Sequence, residues 1–264
     1  MESERGLVKA QQGRGRLGSL HAIGRFALDQ LFPPVCIACA QAVSTPDGLC
    51  TLCWTQLRPI TDPMCPVLGL PFATDMGAGA ASPQAIANPP VFDRARSAVA
   101  YTDLARKLVS RMKYSDRPEI ALFCARMILN AAPDILAPDG VLVPVPLHPF
   151  RRMARRYNQS AELARILARL AKLPLDTNLV ARHRRTSQQV GLNARQRAAN
   201  VTGAFWADAA RLARYGNKRI IVVDDVVTTG ATATAIAKTL KRAGAGHVDV
   251  LSFARVVFDE DMTV

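Results

Sequence analysis

Two adjacent carboxylates, Asp224 and Asp225, close an apolar run and are followed by Thr228-Thr229-Gly230-Ala231-Thr232. A carboxylate pair repels phosphate, but it accepts hydrogen bonds from a diol and can hold Mg2+ through water. Small and hydroxyl residues ahead of a helix have the opposite preference. The first amides of a helix lack intrahelical partners and carry the positive end of its dipole, so they receive an anion. A ligand with a phosphate at one end and a ribose diol at the other meets both demands. A Walker B strand also ends in paired acids, but it requires a G-x-x-x-x-G-K-[ST] loop elsewhere, and the sequence has none.

A second set of chemical residues is Cys36-x-x-Cys39 and Cys50-x-x-Cys53, separated by ten residues. Two such turns supply four thiolates for a tetrahedral Zn2+. With every position filled by protein, the site is structural rather than catalytic, and it supplies folding energy that a tiny subdomain lacks. Cys65 stands alone, and Cys124 falls in a helical pattern as a small core residue.

The elements that must position these residues are legible from periodicity. Ile220, Ile221, Val222 and Val223 read as a strand buried on both faces. Ala235, Ile236, Thr239, Leu240 and Ala243 recur at helical spacing, and Gly244 stops that helix. Val141-Leu142-Val143 is a second buried strand, and the prolines of Pro144-Val145-Pro146-Leu147-His148-Pro149 turn the chain at its end. Ala98 to Tyr101 reads as a strand. Leu104, Leu108, Val109 and Met112 mark a helix ending near Lys113-Tyr114. Ile120, Leu122, Phe123, Met127 and Ile128 mark another helix, and Leu163, Ile166, Leu167 and Leu170 a third. This alternation predicts an α/β fold, a parallel sheet with helices on both faces, preceded by a small zinc-binding subdomain built on four cysteines. Ligands bind beyond the carboxyl ends of such strands, so the 144–148 turn and the 224–232 loop are expected on one rim.

The first of these stretches resembles the phosphoribosyl-pyrophosphate (PRPP) loop of type I phosphoribosyltransferases. The resemblance assigns Asp224 and Asp225 to the ribose hydroxyls and to catalysis. It assigns Val226, Thr228, Thr229, Gly230, Ala231 and Thr232 to the loop around the 5′-phosphate. Further residues narrow it: Lys113-Tyr114, the Pro144 to Pro149 turn, Arg155 with Tyr157-Asn158-Gln159, Arg185-Thr186-x-x-Gln189-x-x-Leu192, Arg197-x-x-Asn200 and Gly203-Ala204-Phe205. With the cysteine pairs and the loop, they resemble the ComF competence family, in which a zinc ribbon precedes a phosphoribosyltransferase-like domain. The resemblance implies Mg2+ bound with PRPP or a phosphoribosyl nucleotide. It implies that Val145, Pro146, Leu147 and His148 offer amides to pyrophosphate, with Arg151 and Arg155 closing over it. It also implies a role in natural competence and the uptake of single-stranded DNA. An active phosphoribosyltransferase of nucleotide salvage and a PRPP- or nucleotide-sensing regulator keep the same loop, and both stay open. Two departures stand out. Cys65 has Leu68 where a second C-x-x-C would continue, so no second zinc is expected. Arg156 replaces a usual glycine.

The chain of 264 residues carries a net charge of +13. Residues 151–219 hold 16 Lys+Arg against 3 acids, and the remainder balances 18 against 18. The whole excess lies just before the PRPP-like loop, as a field that attracts polyanions such as pyrophosphate or nucleic acid. Phe150, Tyr157, Phe205 and Trp206 border it, a mixture that suits single strands, although Phe205 and Trp206 are expected in the core. Organisation reads as a disordered tail over 1–16, a helix and zinc-binding subdomain over 17–65, an Ala/Gly/Pro-rich linker over 66–90 and the large domain over 91–264. The fingerprint Gly13-x-Gly15-x-x-Gly18 follows no strand and is set aside. No apolar run is long enough to span a membrane, and the basic N-terminus lacks an apolar signal core, so a cytoplasmic location is expected.

Overall fold

The computed structural model describes residues 33–77, 79–114 (backbone only at 113 and 114), 117–147, 158–183 and 201–257. The predicted tail and first helix lie outside these residues. So do His148, Arg151, Arg155, Tyr157, the 185–200 motifs and the side chain of Lys113.

In chain order the elements are α1 (Thr51–Trp54), α2 (Pro83–Ala87), β1 (Arg94–Ala100), α3 (Asp103–Tyr114), α4 (Pro118–Ala131), β2 (Gly140–Pro144), α5 (Gln159–Ala171), β3 (Val180–Arg182), β4 (Phe205–Ala207), α6 (Ala209–Ala213), β5 (Arg219–Val227), α7 (Ala231–Arg242) and β6 (Val248–Arg255). The described residues form two compact units that divide between Leu52 and Cys53.

In the larger unit, β1, β6, β5 and β2 lie side by side in that order, every pair parallel. Alternation along the strands separates two apolar layers. Val141, Val143, Ile220, Val222, Val248 and Val250 share a cluster with Ala233, Ile236, Ala237 and Leu240 of α7. Their neighbours Leu142, Ile221, Val223 and Leu251 are equally buried and face the opposite way, where α4 and α5 pack. A sheet covered on both faces can carry continuous β-branched runs, which is the pattern of β5.

β1 starts at Arg94, earlier than the Ala98 expected from its apolar end. Arg94 and Arg96 look like surface residues, but their charges are met within the fold. Arg94 Nη2 donates to the fully buried Asp249 at 3.0 Å, and Arg96 Nη1 donates to the Pro66 carbonyl at 2.9 Å. Residues 66–90 are not featureless either: Leu68, Leu70 and Ala85 are buried in the same cluster as the strands. Gly69 is required there. Its φ is +64, and a Cβ would meet the Ala95 carbonyl oxygen at 2.5 Å.

β3 and β4 form a separate antiparallel pair. Phe205 is buried as expected, whereas Trp206 is 54% exposed. The two belong to one strand, so alternation turns them to opposite faces. Among the described residues no helix is long and apolar enough to cross a membrane.

Candidate functional site

β5 lies between β6 and β2, so its carboxyl end borders that of β2. Pro144 pairs with Val223, and the Val145 amide donates to the Val223 carbonyl at 2.9 Å. The turn after β2 and the loop after β5 therefore meet at one rim. Gly230 is the N-cap of α7, with φ +74 and no side-chain cap. Left-handed backbone is what glycine tolerates and other residues resist. Without a capping side chain, the helix start presents its amides to the space in front of it.

That space is a cavity of about 210 Å³. One wall is Val145, Pro146 and Leu147. The base is Asp224 and Asp225 with Val226, and Thr228, Gly230, Ala231 and Thr232 form the loop side. Asp224 Oδ1 accepts from the Asp225 amide at 2.9 Å and from the Ser160 hydroxyl at 3.0 Å. Burial, and after it the charge of Asp225, push the Asp224 carboxyl up to about 7 despite these two donors. Asp225 Oδ1 accepts from the Val226 amide at 2.8 Å. Behind the pair sits Cys124, fully buried. Burial and the charge of Asp225 hold its thiol far above its ordinary value, so it stays protonated and inert.

The start of α5 supplies the rest of the wall. Asn158 caps the helix by accepting from the Ala161 amide at 3.3 Å, and its own amide donates to the Val145 carbonyl at 3.3 Å. One side chain thus ties α5 to the turn after β2. Gln159 and Ser160 follow, 3% and 6% exposed, and both line the cavity. Among the described residues, Gln159 Nε2 is buried without a hydrogen-bond partner. A buried amide left so costs roughly 1–3 kcal/mol. Arg182, at the end of β3, also lines the cavity, with its guanidinium 5.3 Å from the centre of the Phe205 ring.

Of the residues singled out in the sequence, ten converge on this one cavity. Thr229 does not. It lines a neighbouring cavity of about 610 Å³ on the other side of Gly230, whose lining includes Lys238, Arg242 and Arg255 but no carboxylate. Gln159 was visible only as part of a motif, and Ser160 and Arg182 not at all. Polar residues opening a helix read as caps, and a lone arginine in a basic segment reads as surface.

Cys36 opens a turn whose Gln41 carbonyl accepts from the Cys36 amide at 2.7 Å, with Ala40 at φ 63. The Ala38 amide donates to Cys36 Sγ at 3.4 Å. Burial alone would raise the Cys36 thiol, but amides of Cys50, Ala38 and Cys39 outweigh it and lower the thiol to about 6. The sulfurs of Cys36, Cys39, Cys50 and Cys53 lie within 4.8 Å of one another, with Cys39 and Cys50 at 3.6 Å. A tetrahedron with Zn–S bonds of about 2.3 Å has edges of about 3.8 Å, so the set fits Zn2+. Cys65 begins a similar turn with one thiol. The amides of Leu68 and Ser82 donate to its Sγ at 3.4 and 3.3 Å.

The double zinc ribbon domain family matches residues 27–84, and the phosphoribosyl transferase domain family matches residues 158–256. In the first range, Cys65 is the sole cysteine after Cys53. The chain is 32% identical over 234 residues to the DNA utilization protein YhgH of Escherichia coli K12, covering 85% of this chain and 98% of that one. It is 30% identical over 218 residues to Competence protein F of Haemophilus influenzae, covering 79% and 91%. Among solved structures, the PRPP amidotransferase of B. subtilis complexed with ADP and GMP aligns at 19% identity and a TM-score of 0.36, covering 55% of this chain and 30% of that one. Sheet, rim loops and cysteine cluster together define a phosphoribosyltransferase-type α/β domain behind a zinc ribbon. At this identity over nearly the full length of its relatives, the chain belongs to the ComF competence family.

Proposed function

We propose that the rim cavity binds Mg2+-PRPP or a phosphoribosyl nucleotide, and that the protein acts in the cytoplasm on single-stranded DNA during natural competence. The observation that carries the ligand reading is the convergence of Val145, Pro146 and Leu147 with Asp224, Asp225, Thr228 and Thr232 around one cavity. Asp224 and Asp225 accept from the ribose diol. The amides around 228–232 donate to the 5′-phosphate, and those of 145–148 to pyrophosphate, with Arg151 and Arg155 over it. Mg2+, when bound, neutralises the pyrophosphate. If transfer occurs, the two carboxylates favour the positive charge that develops on the ribose as pyrophosphate leaves, and the rim holds the reacting groups in place. The names of the relatives, DNA utilization protein and Competence protein F, support the cellular part of the reading. The test is calorimetric binding of PRPP with Mg2+ to the wild type and to Asp225→Ala. Binding to the wild type with loss in the variant is expected; equal binding to both, or to neither, overturns the assignment. Pyrophosphate release on addition of candidate bases would identify an enzyme.

A further inference from the structure

Among the described residues, the polar atom of the rim cavity's α5 side that is left without a partner is Gln159 Nε2. The polar side chains on either side of it in the helix start have partners. Asn158 is used in both directions, by the Ala161 amide and the Val145 carbonyl. Ser160 is used by Asp224. Gln159 is 3% exposed, so water does not solvate it freely, and it occupies the first turn of a 13-residue helix. A helix start disfavours no apolar residue at such a buried place, and leucine or methionine fills it without an orphan donor. A buried primary amide on the wall of a ligand cavity has a physical reason when the ligand brings the missing acceptor.

We infer that Gln159 is a ligand-binding residue, whose side-chain amide donates to an oxygen of the phosphoribosyl ligand in the cavity that the 228–232 loop also lines. The inference rests on the PRPP reading of the cavity. It adds a recognition element of opposite sense to the carboxylates. Asp224 and Asp225 take hydroxyl protons, while Gln159 gives a proton to an oxygen lone pair. Two ligand oxygens are within the chemistry of this wall. One belongs to the ribose that meets the Asp224–Ser160 pair, the other to the pyrophosphate that meets the 145–147 turn, since Gln159 adjoins both. The helix dipole of α5 acts with the amide, because its positive end faces the same space.

The experiment compares wild type with Gln159→Met and Gln159→Leu in two measurements. Thermal unfolding without ligand comes first. A donor with no partner in the fold predicts an equal or higher Tm for Gln159→Met; a drop in both variants assigns the amide to the fold and overturns the inference, whether or not PRPP binds. Calorimetry with Mg2+-PRPP comes second, where affinity is expected to fall about tenfold or more in both variants. Unchanged affinity in a variant beside a binding wild type overturns the inference and leaves the PRPP site standing. A wild type that binds no PRPP overturns both. Ribose 5-phosphate and inorganic pyrophosphate, titrated separately, identify the oxygen: the probe whose affinity falls carries it, and a fall in neither counts against the inference.

Discussion

Asp224 and Asp225 sit side by side on one strand but are not equivalent. Asp224 is the enclosed member, with a carboxyl raised by burial and by its neighbour's charge to about 7. An ordinary aspartate in the unfolded chain ionises near 3.9. The folded state therefore holds the proton longer, and the contribution of Asp224 to stability is full below about pH 4 and is lost as pH rises through about 7. Without ligand, Tm is expected to fall by a few degrees between pH 5 and 8, and Asp224→Asn should flatten that slope. A slope unchanged in Asp224→Asn would place the titration elsewhere. Saturating Mg2+-PRPP should reverse the trend, because a diol donates to the ionised carboxylate. The acids and the loop hydroxyls were legible because their chemistry is local: strand end, acids and small residues follow one another along the chain. The separation of Thr229 from Thr228 and Thr232 was not, because which cavity a loop residue lines depends on the path of the folded loop rather than on residue type. Gln159 and Ser160 escaped for another reason. Ser160 is met by Asp224, which is remote in sequence, and the burial of Gln159 beside it is equally a product of the tertiary fold.

The site is built by helix and strand ends rather than by a rigid pocket of its own. β2 and β5 pair in register up to Pro144 and Val223, which fixes the two loops against each other. α7 begins at Gly230, and here one substitution tests the element. A Cβ at Gly230 meets nothing within 4 Å, so Gly230→Ala brings backbone strain without a clash. At φ +74 that strain costs roughly 1–2 kcal/mol. The urea midpoint should drop accordingly and PRPP affinity should fall with it. Gly230→Asn should lie between the two, because asparagine visits the left-handed region more easily. An alanine variant as stable as wild type would mean the loop relaxes out of this conformation. Helices α3 and α4 and the strands β2 and β5 follow periodicity closely, as apolar spacing alone decides them. The start of β1 does not. Its arginines become sheet residues only because Asp249 and the Pro66 carbonyl, far away in sequence, receive them. Composition likewise marks 66–90 as small and flexible, but Gly69 is selected by a close approach to Ala95 and Leu70 by burial in the core, which no local pattern reveals.

At the scale of the molecule, one cluster belongs to metal and one segment to charge. The four sulfurs of Cys36, Cys39, Cys50 and Cys53 already stand at zinc-ligand spacing. Metal analysis of the purified protein should give about one zinc per chain, lost in Cys36→Ser, with unfolding of the ribbon reported by rising protease sensitivity there. Retention of zinc in that variant would reject the four-thiolate site. Paired cysteine spacing made this cluster readable, since each C-x-x-C turn is local and only the meeting of the two pairs is not.

The charge argument reaches furthest and is the easiest to break. The chain's entire net +13 falls in residues 151–219, so a polyanion bound by this protein should be bound there. Neutralising phosphates releases counterions, and for a single strand log K falls against log salt with a slope of about −0.7 per phosphate contacted. Contacts to about five phosphates would give a slope near −3.5, on the order of a hundredfold in affinity between 50 and 200 mM salt. Replacing Arg151 and Arg155 together by alanine should make that slope shallower by about 1.4. The same substitutions should weaken pyrophosphate, because both arginines are assigned to that end of the cavity. If DNA and PRPP use the same arginines, they compete, and saturating Mg2+-PRPP should lower DNA affinity to that of the double variant. If DNA affinity is indifferent to salt, phosphate contacts do not hold it, and the localised charge has no part in DNA binding. If it is salt-dependent yet indifferent to PRPP, the strand and the sugar phosphate are held by different cations of the same segment.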